Sequence, residues 1–249
     1  MRLAITLLLA FTAAAAAQDN PALPVIKSAV EAHGGAEALA KARTARQSAS
    51  GTLIAQGKES KFSYTAAYAI PEKYRVEMTA DIGGLKVTAI QILNGKKSKM
   101  SVKYNGTETP IDPKAKEEVV QAGLLKDVTL LTPLLDGKKY TLKLEKEADV
   151  NGQPAAVVSV TGNGLKEVKL FFDKKSHRLV KTQRRGYANG PGGVVEVNEE
   201  IYLSDFKKFE KALLPTAIVQ NHDGQKYMTA TVTEWKFVDK IDDKEFAVE

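Results

Sequence analysis

Three histidines, His33, His177 and His222, are all the imidazole in this 249-residue chain, and there is no cysteine. Proton transfer at neutral pH, thiolate chemistry and soft-metal binding are therefore confined to very few positions. The histidines form no His-x-x-x-His pair, and no thiolate can complete a zinc set. No Gly-x-Ser-x-Gly turn occurs, so His33-Gly34-Gly35 reads as a helix end and not as an oxyanion motif. Gly162-Asn163-Gly164 lacks the following Lys-Ser/Thr of a phosphate loop and reads as a turn. Asp242-Asp243 and Glu199-Glu200 are adjacent pairs, which on a strand point to opposite faces and cannot share one substrate. The expectation is a protein that is not an enzyme and uses no metal and no cofactor.

What remains is apolar chemistry. Phe62, Tyr64, Tyr74, Val76, Met78, Met100, Val102, Tyr104, Val158, Val160, Val168, Leu170 and Phe172 all stand at even positions. In strands joined by parity-preserving turns they share one face. That face is either the lining of a hydrophobic cavity or the filled core of a small barrel. A leucine-rich segment over 119–135 carries Val119, Val120, Leu124, Leu125, Leu130 and Leu131, and is either a lid or a packing helix. A basic run, Lys174, Lys175, His177, Arg178, Lys181, Arg184 and Arg185, is either a solvated hairpin or a contact for anionic headgroups. The formal charge of +6 comes with no nucleic-acid-binding signature, and no nucleic acid partner is expected.

The elements that would position these residues can be read in order. Met1-Arg2, the apolar run Leu3 to Phe11 and the small residues Ala13–Ala17 form an expected signal peptide over residues 1–17. Residues 18–249 then make a single domain, soluble and exported, with no later apolar run near the ~18 residues of a membrane helix. Pro24 opens a helix that Gly34-Gly35 stops, and Ala36 to Ala42 suits a second. From about Gln47 the apolar period becomes two. Asn94-Gly95, Asn105-Gly106, Asn151-Gly152 and Asp223-Gly224 punctuate the strands as hairpin turns. Asp112-Pro113 starts a helix inside this strand protein, and Arg184 to Gly193 is expected to be a mobile loop. The fold class is α+β, mostly β: a half-open antiparallel barrel of roughly ten or eleven strands, with N-terminal helices and a helical lid.

Four phrases carry a resemblance. They are Ala32-His-Gly-Gly-Ala-Glu-Ala-Leu39, Ile70-Pro-Glu-Lys-Tyr-Arg-Val-Glu-Met78, the segment 203–216 around Phe206-Lys-Lys-Phe209, and 232–246 around Trp235. With the order of elements, they resemble the outer-membrane lipoprotein carrier superfamily, the LolA-like, LolB-like and lipoprotein-sorting-like proteins. The resemblance implies an incompletely closed barrel, a helical lid, and a cavity for a lipid or the acyl chains of a lipoprotein. It implies a periplasmic carrier that makes transient contact with a membrane surface or a membrane protein. In the carrier proper an arginine before the strand-breaking proline holds the lid; here that position is Ile70. The rival expectation is an exported interaction module with a filled core and no ligand.

Overall fold

The structure, a computed structural model, describes residues 20–248 apart from Gln56, Pro191 and Gly192. The expected signal peptide, residues 1–17, lies outside the described residues. Helix α1, Leu23–Ala32, buries Ile26, Ala29 and Val30 at helical spacing. His33 caps it, and Gly34 follows at φ 103°. A Cβ on Gly34 would lie 2.1 Å from the Lys211 carbonyl oxygen, so only glycine allows that close approach. Helix α2 spans Ala36–Lys41.

Two antiparallel meanders follow. The first is β1 Thr44–Ala55, β2 Lys58–Ala69, β3 Lys73–Ile82, β4 Leu85–Asn94, β5 Lys97–Tyr104 and β6 Thr107–Thr109. Helix α3, Pro113–Thr129, comes next, capped by Asp112 accepting from the Lys114 amide. The second meander is β7 Thr141–Leu144, β8 Ala148–Val150, β9 Gln153–Gly162 and β10 Leu165–Asp173. It continues through β11 Leu179–Gly190, β12 Gly193–Phe209, β13 Ala212–His222 and β14 Gln225–Phe237.

Strand β14 pairs back onto β1, zipping the meanders into one 14-stranded sheet with β6 and β7 as its free edges. The half-open antiparallel barrel is as expected; the strand count rises because three-residue strands such as β6 and β8 carry too little pattern to be read. Asn-Gly or Asp-Gly turns at 105–106, 151–152, 163–164 and 223–224 all place both residues at positive φ, matching the strands' twist. Helix α3 is the chain's route from one free edge to the other. It packs on β4 and β5 and also on β10 and β11, so it covers the concave face as a lid.

One expectation is corrected. Arg184 to Gly193 is not a loop in its described part: β11 runs to Gly190 and pairs with β12 from Lys181↔Tyr202 to Gly190↔Gly193. Tyr187 and Ala188 face Glu196 and Val195 across the ladder, and backbone pairing overrides the glycine content.

Candidate functional site

The even-numbered residues of β2 and β3 do share the concave face, but helix α3 divides that face unequally. On the β9–β10 side, Val158, Val160, Val168 and Leu170 are wholly buried and Phe172 nearly so. They form one core cluster with Val119, Val128, Leu131 and Leu134. This wall is packed by the protein's own side chains, and none of these five residues lines the cavity under the helix. On the β1–β3 and β12–β14 side a cavity of about 300 Å³ remains under the helix.

Spacing on α3 explains which side chains face it. Ala122, Leu125, Lys126 and Thr129 recur at three and four residues, and all four line the cavity, with Leu130 closing the end. Opposite stand Tyr68, Tyr74 and Val76 of the first meander, and Ile201, Leu203, Ile218 and Trp235 of the second. His33 and Leu39 from the N-terminal segment complete the wall.

Polar side chains hold α3 over this space from several directions. Arg184 Nη2 donates to Glu118 Oε2 at 2.7 Å, and its Nε donates to Glu199 Oε1 at 2.6 Å. Burial alone would depress Arg184, but Glu199 and Glu118 outweigh it and hold the guanidinium above its usual range. Gln220 Nε2 donates to the second Glu199 oxygen at 2.7 Å. The Tyr74 hydroxyl donates to the Val119 carbonyl within the helix, and burial pushes its pKa up. Gln121 donates to Gly164 O and accepts from Lys166 N, fastening the helix to the β9–β10 turn. Asp127, with a fully buried side chain, accepts from Arg43 and from the Tyr140 hydroxyl. Gly123 lets the helix sit close: a Cβ there would lie 2.7 Å from Leu93 Cδ2 and 3.0 Å from Tyr74 Cε1. Ile70 lies in the core, so the lid is held by Arg184 and Tyr74 and not from the position before Pro71.

Lys126 differs from the other polar residues of the helix. Its ammonium lies 4.7 Å from the Tyr68 ring centroid and 4.4 Å from that of Trp235. Those rings stack on each other at 6.0 Å. Among the described residues no carboxylate forms an ion pair with it, whereas Glu118 and Asp127 on the same helix are both paired. Burial lowers its pKa to about 8. The Tyr68 and Tyr64 hydroxyls both donate to Gln47 Oε1, at 3.0 and 3.2 Å, which fixes the Tyr68 ring under the ammonium. Trp235 Nε1 is buried with no hydrogen-bond partner.

The buried histidine offers no free base. His33 Nδ1 lies 2.7 Å from the Leu213 carbonyl and so carries the proton, while Nε2 accepts from the Leu179 amide at 3.1 Å. Burial holds its pKa below the usual imidazole value.

Of the expected lining, then, Tyr74 and Val76 reach the cavity. Phe62 belongs to a separate cluster with Leu53, Ala80 and Ala230, and Tyr64 and Met78 pack against it. Met100 packs on the main core, Val102 is half-buried, and Tyr104 is exposed at the edge. Of the expected lid residues, Leu125 and Leu130 line the cavity. Val119 and Leu131 are core, and Val120 and Leu124 pack partly buried against it.

The basic run is not one surface, which corrects the grouping of its members. Lys181 and Arg184 are buried; Lys181 pairs with Glu200, and Arg184 faces inward. Alternation alone separates these two onto opposite faces, and the inward one meets Glu118 and Glu199. Lys174 and Arg185 are exposed but paired with Glu147 and Glu196, Lys175 and His177 are exposed, and Arg178 lies over the Phe206 ring. The residues missed from sequence, Lys126, Gln47, Trp235, Ile201 and Leu203, share a signal: each falls on the inward parity or helix face of its own element.

No protein-family model and no curated protein matches the chain. Solved structures do. A LolA superfamily protein from Nitrosomonas europaea is similar at 12% identity and TM-score 0.52, over 91% of this chain and 97% of that one. A DUF1329 family protein from Desulfovibrio piger is similar at 13% identity and TM-score 0.54, over 92% and 98%. At these identities the likeness is one of fold: the chain has a LolA-like fold.

Proposed function

We propose that this protein is an exported, non-enzymatic carrier or binding protein that holds a hydrocarbon segment of a lipid or lipoprotein beneath α3. The observation that carries this is the cavity of about 300 Å³, walled mainly by apolar side chains and roofed by one face of that helix. Its size is at the lower end for ligand pockets. At roughly 30 Å³ per non-hydrogen atom of guest, taking the volume of a liquid water as the measure, it admits about ten such atoms. Ten methylenes leaving water contribute about 8 kcal/mol before the cost of association, enough for a reversible carrier. The LolA-like fold supports the same assignment, as does His33, whose two nitrogens are both taken by backbone groups.

Among the described residues no helix is long and apolar enough to cross a membrane. The leader-like residues 1–17 support export to the periplasm. Lys174, Lys175 and Arg178, at one end of the β10–β11 hairpin, are the group we assign to transient contact with an anionic membrane surface. The test is native mass spectrometry of the exported protein together with displacement of a fluorescent fatty acid. A bound acyl species or saturable displacement is expected. An empty spectrum and no displacement would leave the filled-module alternative standing.

A further inference from the structure

Among the described residues, one charged group on the cavity wall has no protein counter-ion. Every other ionised side chain of α3 that turns inward is paired: Glu118 with Arg184, Asp127 with Arg43. Lys126, half-buried on the cavity wall, holds its ammonium over the stacked rings of Tyr68 and Trp235, and no carboxylate pairs with it among the described residues. Lining the same wall, the Trp235 indole N–H is buried and donates to nothing. A cation partly withdrawn from water without an ionic partner carries a cost, and aromatic faces return only part of it. A buried donor left unmade adds to it. Both deficits would be relieved by one group, an anionic oxygen acceptor.

We propose that the natural guest is an anionic amphiphile, whose carboxylate or phosphate-monoester head pairs with Lys126 and accepts from Trp235 Nε1 while its chain occupies the apolar remainder of the cavity. This rests on the cavity being a lipid site. The head is held by a charge-assisted hydrogen bond in a partly desolvated setting, where such bonds are strongest. The Tyr68 ring, held by its hydroxyl donating to Gln47, supports one side of the ammonium.

Trp235 is the chain's one tryptophan, so its fluorescence reports the site directly. The purified protein is titrated with decanoate and decyl phosphate, with decanol as the uncharged chain, and with acetate and inorganic phosphate as heads without a chain. Calorimetry provides the second readout. Decanoate or decyl phosphate should bind at least tenfold more tightly than decanol, and the better of the two names the head. Lys126→Met should bring all three chains within about twofold of one another, and Lys126→Arg should keep the preference. Equal binding of decanol and both anions overturns the anionic head but leaves the carrier assignment standing. Inorganic phosphate or acetate binding as tightly as its decyl counterpart overturns the amphiphile. No binding of any chain overturns the carrier assignment and this inference together.

Discussion

Arg184 on β11 and Glu118 on α3 meet at 2.7 Å across the mouth of the sheet, and Glu199 on β12 holds the other side of the same guanidinium. One buried arginine thus ties the cover helix to the wall that it spans. Removing one partner of a buried pair leaves an uncompensated charge. Arg184→Met strands two carboxylates and should cost roughly 3–5 kcal/mol. Glu118→Ala leaves the Arg184–Glu199 pair intact and should cost about 1–2 kcal/mol. Urea denaturation gives the totals, and hydrogen exchange should show faster exchange over 113–129 in both variants. Unchanged exchange in Glu118→Ala would mean that the bond does not restrain the helix.

His33 should make the protein acid-sensitive before the carboxylates titrate. Its folded pKa lies below the usual imidazole value of 6.5, chiefly through burial. The unfolded chain therefore binds more protons as pH falls below 6.5, so stability is lost from there down through the folded value. His222, also lowered first by burial, acts in the same direction. Urea midpoints should drop between pH 7 and 5, and His33→Gln should flatten that slope. A midpoint that holds constant over the range would show that neither imidazole is held neutral.

Lys126 acts at the other end of the scale. Its pKa of about 8 stands below the usual lysine value of 10.5 because of burial. Between those values the unfolded state carries more protons, so stability should rise with pH across the window. Lys126→Met should remove that rise and stabilise the ligand-free protein at pH 7 by roughly 1–3 kcal/mol. Thermal unfolding at pH 7 and pH 10 measures both effects. A destabilised methionine variant would mean that the aromatic contacts outweigh the desolvation of the ammonium.

Gly123→Ala sets two effects against each other. Helix propensity favours alanine by about 1 kcal/mol. The new methyl would press on Leu93 and on the Tyr74 ring, which is pinned through its hydroxyl to Val119. Leu93 can turn its tip, but Tyr74 cannot move without losing its bond, so overpacking of about 1–3 kcal/mol should prevail. The expected outcome is a net loss of stability in urea denaturation, and a gain would show that α3 sits looser on β3 and β4.

Much of the fold was legible because it is local. Period-two apolar spacing located the strands, Asn-Gly and Asp-Gly pairs located turns, and Asp112-Pro113 located the start of α3. Proline and glycine spacing located α1. Parity also placed Tyr74 and Val76 on the face that contains the cavity.

Charge misled in the interior. Arg184 reads as a surface residue in a basic run, because nothing near it in sequence announces Glu118 or Glu199 as partners. Lys126 reads as a solvated helix residue for the same reason.

The amino-acid sequence by itself determined the strands, their facing parity, the turns and the presence of a helix between two meanders, since each follows from residues within a few positions of one another. Only the tertiary structure decided which half of the concave face is full and which is hollow. That depends on where α3 comes to rest between the two free edges, and its resting place is set by Arg184, Tyr74, Arg43 and Tyr140, contacts that no local spacing encodes.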